Sequence, residues 1–255
     1  MLGESRWLRA FTGLFPLVVL LGLWQLTGVE RSITFPRPSA WLTGLGDLYA
    51  SGELQPALRT TLLTFFVALV VGTCVGTVIG LLMGAFRRVD RALGPLLDFF
   101  RSLPPPVVVP VTGLLLGLTP LTNIVIVVLA ILWPILLNTI TGIRGVPRVR
   151  LEMARTLGLS PVERLFKVVL PSVAPSVMVG VRIAASTALV VTLFVDVLGT
   201  GDGLGRQLIL SQSRFQAGAA WGLLLLTGLL GYLLNLLIGV GEHYAFRNWP
   251  AGLRG

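Results

Sequence analysis

Six apolar stretches of 19 to 28 residues alternate with short arginine-bearing segments, at residues 11–29, 60–84, 97–117, 121–142, 171–198 and 217–241. Four of the six contain no charged residue. A helix needs roughly 20 apolar residues to cross a bilayer, and lipid offers no partner for an unpaired backbone group. The pattern predicts an all-α, polytopic membrane protein with about six transmembrane helices. It forms one domain over residues 1–255, with an N-terminal helix at about 11–29 and a core at about 58–245. The first stretch has the composition of a signal-peptide core, yet no small-x-small cleavage motif follows it, so an uncleaved spanning helix is expected. The third contains Pro104, Pro105, Pro106 and Pro110, so its start should be kinked or extended. Such a break is tolerated only beside protein or a water-filled cavity.

Charged residues make up 12% of the chain and hydrophobic ones 54%, against about one quarter charged in a soluble domain. The net charge of +9 comes from 19 arginines and one lysine set against 11 acids. These cations sit between apolar stretches and form no stripe with aromatic interleaving, which argues against a nucleic-acid partner. Topology accounts for them instead. With the N-terminus inside, fourteen fall on the cytoplasmic side (Arg6, Arg9, Arg87, Arg88, Arg91, Arg101, Arg144, Arg148, Arg150, Arg155, Arg164, Lys167, Arg247, Arg254). Five fall outside (Arg31, Arg37, Arg59, Arg206, Arg214), and Arg182 lies within a span. Both termini are therefore expected in the cytoplasm.

Several chemistries are excluded by inventory. Cys74 is the sole cysteine, so there is no disulfide framework or cysteine-based metal site. His243 is the sole histidine, beside Glu242 at a helix end, and reads as a surface residue. No Ser-His-Asp set can be assembled, so no enzyme activity and no metal are expected. No GxxxxGK[ST] occurs, and the 199–205 glycine run lacks the GxxG and acidic partner of a dinucleotide site; it reads as an outer turn. No cofactor is expected in this chain.

Gly72, Gly76, Gly80 and Gly84 recur every four residues on one face of the second span, a packing seam that lets another helix backbone approach closely. Trp7, Trp24, Trp41, Trp221, Tyr244 and Trp249 lie near span ends, where amphipathic rings favour headgroups. Trp133 falls within a span and reads as packing.

The segment at about 145–168 interrupts the apolar pattern. Pro147 closes the approach from the fourth span, and Arg148 to Leu157 can form a short helix with Leu151, Ala154 and Leu157 on one face. Gly158 should end it in a left-handed cap. Ser160, Pro161 and Glu163 then read as N-cap, first position and capping-box acid of a second short helix. Two short helices lying along the membrane would make a rigid knob between the fourth and fifth spans.

Glu152-Met153-Ala154, Gly158, and Val168 followed by Leu170-Pro171 match without a gap the Glu-Ala-Ala loop of binding-protein-dependent ABC importer permeases. Met153 and Val168 replace the usual Ala and Ile. The chain further resembles the nitrate, sulfonate, taurine, bicarbonate and thiamine-precursor branch through Phe35-Pro36-Arg37-Pro38, Leu93 to Asp98, and Arg101-Ser102-Leu103-Pro104. Gly180 to Ala184 and Gly201-Asp202-Gly203-Leu204-Gly205 continue the match. The resemblance implies a type I importer permease fold in the bacterial inner membrane. The implied partners are a second permease subunit (identical or a paralogue), two ABC ATPase subunits that carry ATP and Mg, and an extracytoplasmic solute-binding protein. The implied ATPase-coupling residues are Glu152, Met153, Ala154, Arg155, Leu157, Gly158 and Leu159. Three positions depart from the branch: Gly117-Leu118-Thr119-Pro120 lacks its acid, leucines at 114–116 replace its aromatic, and Val195-Asp196 replaces an Ala-Glu pair. The solute is thus open between a small anion and other classes such as amino acids, phosphonates or a thiamine precursor. A non-transporting membrane scaffold bound to an ATPase is the competing class.

Charges within spans usually face a cavity or a partner. Asp98 and Arg101, three residues apart, can pair along one helix face. Arg182 either bridges to Asp196 or another helix, or gives a translocation path a positive lining for anions. Asp98, Arg101, Arg182 and Asp196 are the candidate path residues.

Overall fold

The computed structural model describes residues 4–29, 32–117, 119–198 and 201–246. Among these, all regular structure is helical: α1 (Glu4–Thr27), α2 (Pro38–Ala50), α3 (Leu54–Ala85), α4 (Arg87–Arg101), α5 (Pro105–Leu116), α6 (Pro120–Arg144), α7 (Arg148–Thr156) and α8 (Pro161–Arg164). A π-helical turn (Leu165–Val169) leads into α9 (Leu170–Leu198), and α10 (Leu204–Ser213) and α11 (Ala217–Phe246) follow. Arg31, Leu118, Arg247, Trp249, Arg254 and the first two residues of the 199–205 run lie outside the described residues.

Among the described residues, four helices are long and apolar enough to cross a bilayer: Leu54–Ala85, Pro120–Arg144, Pro161–Leu198 and Ala217–Tyr244. Shorter apolar helices, Val18–Thr27 and Val107–Leu116, occupy the first and third expected spans. The third is divided, as its prolines require. Pro104 is extended at ψ 129°, and the chain forms α4 and α5 on either side of it. Residues 97–101 therefore belong to α4 and only 105–116 to the apolar helix, which narrows the expected 97–117 span.

The centre of the protein is α3, α6 and α9, joined by small-residue seams. The four seam glycines of α3 meet Ile131, Ile135, Thr139 and Ile143 of α6, which repeat at the same four-residue interval. A Cβ at Gly72 would lie 2.8 Å from Ile131 Cδ1, one at Gly80 2.6 Å from Thr139 Cβ, and one at Gly84 would overlap Ile143. The expected seam is thus internal to the subunit. On the other side of α6, a Cβ at Gly180 of α9 would sit 2.8 Å from the Pro134 carbonyl oxygen, and Ala184, Ala185 and Ala188 continue that close approach. Apolar helices gain little by hiding from lipid, so close van der Waals packing must hold them together.

Beside this centre, α2 packs against α11. Their backbones cross where Gly44 faces Ala219, Gly218 faces Ala40 and Gly222 faces the Trp41 carbonyl. Trp24, Trp41 and Trp221 gather there into one cluster. Trp41 and Trp221 stack at 5.5 Å, Trp24 meets each edge-on at 5.0 Å, and Trp221 Nε1 donates to the Thr34 carbonyl at 3.0 Å. Trp133 is half-buried within α6.

Candidate coupling site

The knob between α6 and α9 is built from local bonds. Pro147, extended at ψ 132°, precedes α7. Gly158 takes φ +72°, the left-handed conformation that favours glycine. Gly158 N donates to Arg155 O at 2.9 Å and Leu159 N to Ala154 O at 3.1 Å, the paired closure of a Schellman cap. Ser160 then caps α8: its Oγ accepts from Glu163 N, and the Glu163 carboxylate accepts from Ser160 N at 3.0 Å. Lys167 Nζ reaches the same carboxylate at 2.9 Å. Pro171 has no N–H to offer one turn back, and the backbone widens into the π-helical turn just before it.

One bond the sequence did not point to fastens α7 to the rest. Arg150 Nη1 donates to Ser172 Oγ at 2.8 Å, and Ser172 Oγ donates to Val168 O at 2.7 Å. Arg150 was one of several loop arginines, with nothing in its spacing to set it apart.

Burial divides the expected coupling residues into two faces. Ala154 is 2% exposed and forms the underside of α7, with Leu151 and Leu159 half-buried beside it. Glu152, Arg155 and Gly158 are exposed. Leu157 was expected to share a face with Leu151 and Ala154, and it is 75% exposed. Four residues beyond Met153, which is 60% exposed, it stands with Met153 and Val149 on the outer face of α7. These three, at four-residue spacing, form an apolar stripe on a polar segment, with Val162 and Phe166 exposed nearby.

The candidate path residues do not come together. Asp98 Oδ1 and Arg101 Nη2 pair at 3.2 Å along α4, as expected. All of α4 lacks a buried residue; Val89 and Leu97 dock it near Met83, Leu136 and Ile140, and Arg144 pairs with Asp90 at its start. The Asp98–Arg101 pair lies just before the Pro104 break and faces outward from this subunit, with the Asp98 side chain 71% and the Arg101 side chain 50% exposed. Arg182 bridges to Glu242 of α11 at 3.7 Å, not to Asp196; its side chain is 59% exposed. Asp196 is 1% exposed and is bonded to Thr61 inside the subunit, so it presents no surface to a path.

With this geometry in hand, residues 76–244 match the family of the binding-protein-dependent transport system inner membrane component. The chain belongs to that family. A relative in Escherichia coli (strain K12) that carries the name of an aliphatic sulfonates transport permease, SsuC, is 32% identical over 250 residues, covering 97% of this chain and 95% of its own. A nitrate import permease protein, NrtB, of Leptolyngbya laminosa is 28% identical over 152 residues, covering 58% of this chain and 53% of its own. Among solved structures, a chain of the inward-facing MetNI methionine ABC transporter superposes with TM-score 0.64 at 22% identity, over 76% of this chain and 97% of that one. An amino acid ABC transporter crystallised with histidines gives 0.63 at 16% identity, over 80% and 97%. The type I permease fold is thereby established for this chain, as is its place as the membrane-spanning part of an ABC transporter.

Proposed function

We propose that this chain is the permease subunit of an ATP-driven importer for a small anionic solute of the sulfonate or nitrate class. Two copies, or this chain and a paralogue, enclose the path. Two separate ATPase subunits, which carry ATP and Mg, receive the two α7 helices, and an extracytoplasmic binding protein delivers solute from the other side. Both termini lie in the cytoplasm. The observation that carries this reading is the Val149–Met153–Leu157 stripe: an apolar surface on a capped, rigid helix outside the apolar spans, where water alone would not favour it. The Arg150–Ser172 bond ties that helix to the start of α9, so a push on α7 reaches a spanning helix without a slack linker. No nucleotide chemistry is needed in this chain, and the ATPase supplies the energy.

The solute class is supported by the names of the sulfonate and nitrate relatives and by Arg101 and Arg182, both within apolar stretches. Both arginines are paired at rest. Anion preference then requires that Arg182 exchange Glu242 for solute as α9 moves against α11. In the complete transporter, Gly158→Arg and Glu152→Lys should abolish uptake while ATP hydrolysis and membrane insertion persist. Unimpaired uptake in both variants would remove α7 from the coupling role.

A further inference from the structure

We propose that Asp196 is a positioning residue that pins the outer helix α10 to α3 and α9, so that the three move as one unit on the outer side of the permease. The pin itself follows from the fold; its outer placement, which the labelling uses, and its part in transport rest on the function proposed above.

Helix α10 starts deep. Its first residue, Leu204, is fully buried, and the first turn of any helix has N–H groups without intrahelical acceptors. In a membrane interior such donors go unpaired only at a cost of several kcal/mol. Here Leu204 N donates to Thr61 Oγ1 at 2.9 Å, and the Thr61 hydroxyl donates in turn to Asp196 Oδ2 at 3.0 Å. Thr61 is fully buried as well. One hydroxyl therefore relays between three elements: α10, α3 and α9. The carboxylate also stands at the positive end of the α10 dipole, where negative charge is favoured. Gly201, Gly203 and Gly205 close over it. A Cβ at Gly201 or Gly203 would run into the carboxylate, and one at Gly205 would sit 2.8 Å from Asp196 Cβ.

A second tie holds the far end of α10. Arg214 Nη1 meets Glu53 Oε2 at 3.5 Å. Thr61 and Glu53 stand about 12 Å apart along α3, and Leu204 and Arg214 about 15 Å apart along α10. The two ties thus lay α10 against the outer turns of α3, running the opposite way. Beyond Arg214 the chain turns through Phe215, a non-glycine residue at φ +55° that points its ring into solvent. At the opposite end of α9, about 36 Å away by helix rise, the Arg150–Ser172 bond holds the knob. Each end of α9 is clamped.

The test uses the full chain in cell membranes, with Cys74→Ser and with Ser211→Cys as a reporter on the buried side of α10. A membrane-impermeant maleimide is applied from outside. With Asp196 intact the reporter should stay protected. Labelling should rise about tenfold in Asp196→Ala and in Thr61→Val. Asp196→Asn keeps the acceptor oxygen and Thr61→Ser keeps the hydroxyl, so both should remain protected. The Asp196→Ala/Thr61→Val pair should label no faster than either single change, because both remove one relay. Protection in Asp196→Ala, opening in Asp196→Asn equal to that in Asp196→Ala, or effects that multiply in the pair would each overturn the pin. If Asp196→Ala fails to accumulate, Thr61→Val and Gly203→Ala decide the question by the same readout.

Joint movement is tested separately. In the complete transporter, Glu53→Cys and Arg214→Cys bridged by a short bis-maleimide should leave uptake of a labelled alkanesulfonate unchanged. A bridge that stops uptake would show that α10 swings against α3. Absence of uptake in the parent transporter, with Glu53 and Arg214 intact, would instead count against the solute class, and leaves the labelling result standing.

Discussion

The knob between α6 and α9 and the pin at Asp196 use hydrogen bonds in opposite ways. In the knob, caps and closures join residues three to five apart, as in Leu159 to Ala154 and Ser160 to Glu163. It turns apolar side chains outward from that local frame. At the pin, the partners are 135, 143 and 161 residues apart in sequence, and polar groups are turned inward. The knob can hold its shape on its own and is finished toward a partner. The pin exists only once α3, α9 and α10 are assembled. Under the coupling role proposed above, this asymmetry would suit a transporter pushed at one end and opened at the other: a stiff local handle at one end of α9 and, at the other, a joint that records the arrangement of the spans.

The largest effect should come from breaking the assembly beneath both regions. Gly80→Leu must place its side chain where Thr139 Cβ lies 2.6 Å and the Leu136 carbonyl 2.9 Å from the new Cβ. Overpacking of this kind costs about 1–3 kcal/mol and sometimes more, and here it falls between two backbones that cannot yield cheaply. Membrane-inserted protein should drop and the Ser211→Cys reporter should open, because the pin needs α3 in register. A normal amount of protein with the reporter still protected would mean that α3 and α6 are not the frame on which the outer unit is built.

Next in size is a change confined to the handle. Ala154 fills the underside of α7, and Ala154→Leu should lift that helix from its seat at a cost of about 1–3 kcal/mol. The reporter on α10 should stay protected, while ATP-driven uptake falls in the complete transporter. Equal damage at both ends would erase the distinction between a local handle and a long-range joint.

A smaller effect is expected at the second cap. Ser160→Ala removes the acceptor for Glu163 N, a loss of about 1 kcal/mol. Amide exchange should quicken over residues 161–164 and leave α9 above Pro171 unaltered. Faster exchange throughout α9 would show that the π-helical turn passes local fraying into the span, contrary to a stiff handle.

The same contrast explains what could be read in the chain beforehand. Gly158, Ser160, Pro161 and Glu163 were legible because every partner lies within five residues, so spacing alone carries the geometry. The α3 seam was legible as four glycines on one face, but Ile131, Ile135, Thr139 and Ile143 were not, since helix α6 offers several faces with equally apolar side chains. Leu157 was ambiguous because it is three residues from Ala154 and four from Met153, so helical spacing alone does not decide which of the two faces it joins. Helix α4 was hidden by its two faces: Val89, Leu93, Leu96, Leu97 and Phe100 alternate with Arg87, Asp90, Arg91, Asp98 and Arg101, so its charges read as a loop and its end as the start of a span. Asp196 could be recognised as an acid in an apolar stretch. Its bond to Thr61, across most of the chain, has no local signature.

Arg182 offers the smallest and most discriminating test, because stability and function should part there. Its contact with Glu242 is long at 3.7 Å and its side chain is more than half exposed, and pairs of this kind contribute about 0–1 kcal/mol. Arg182→Gln should therefore leave insertion, the α10 reporter and the thermal midpoint close to those of the parent. If the guanidinium trades Glu242 for solute as α9 moves, the same change should weaken uptake of anions more than uptake of an uncharged analogue, and Glu242→Gln should do the reverse by freeing the arginine. The two variants are matched in size and differ only in which charge is left alone. Equal uptake of anion and neutral analogue in both would return the pair to a structural bond between α9 and α11, and the selectivity of the permease would have to be sought at the Asp98–Arg101 pair beside the broken helix.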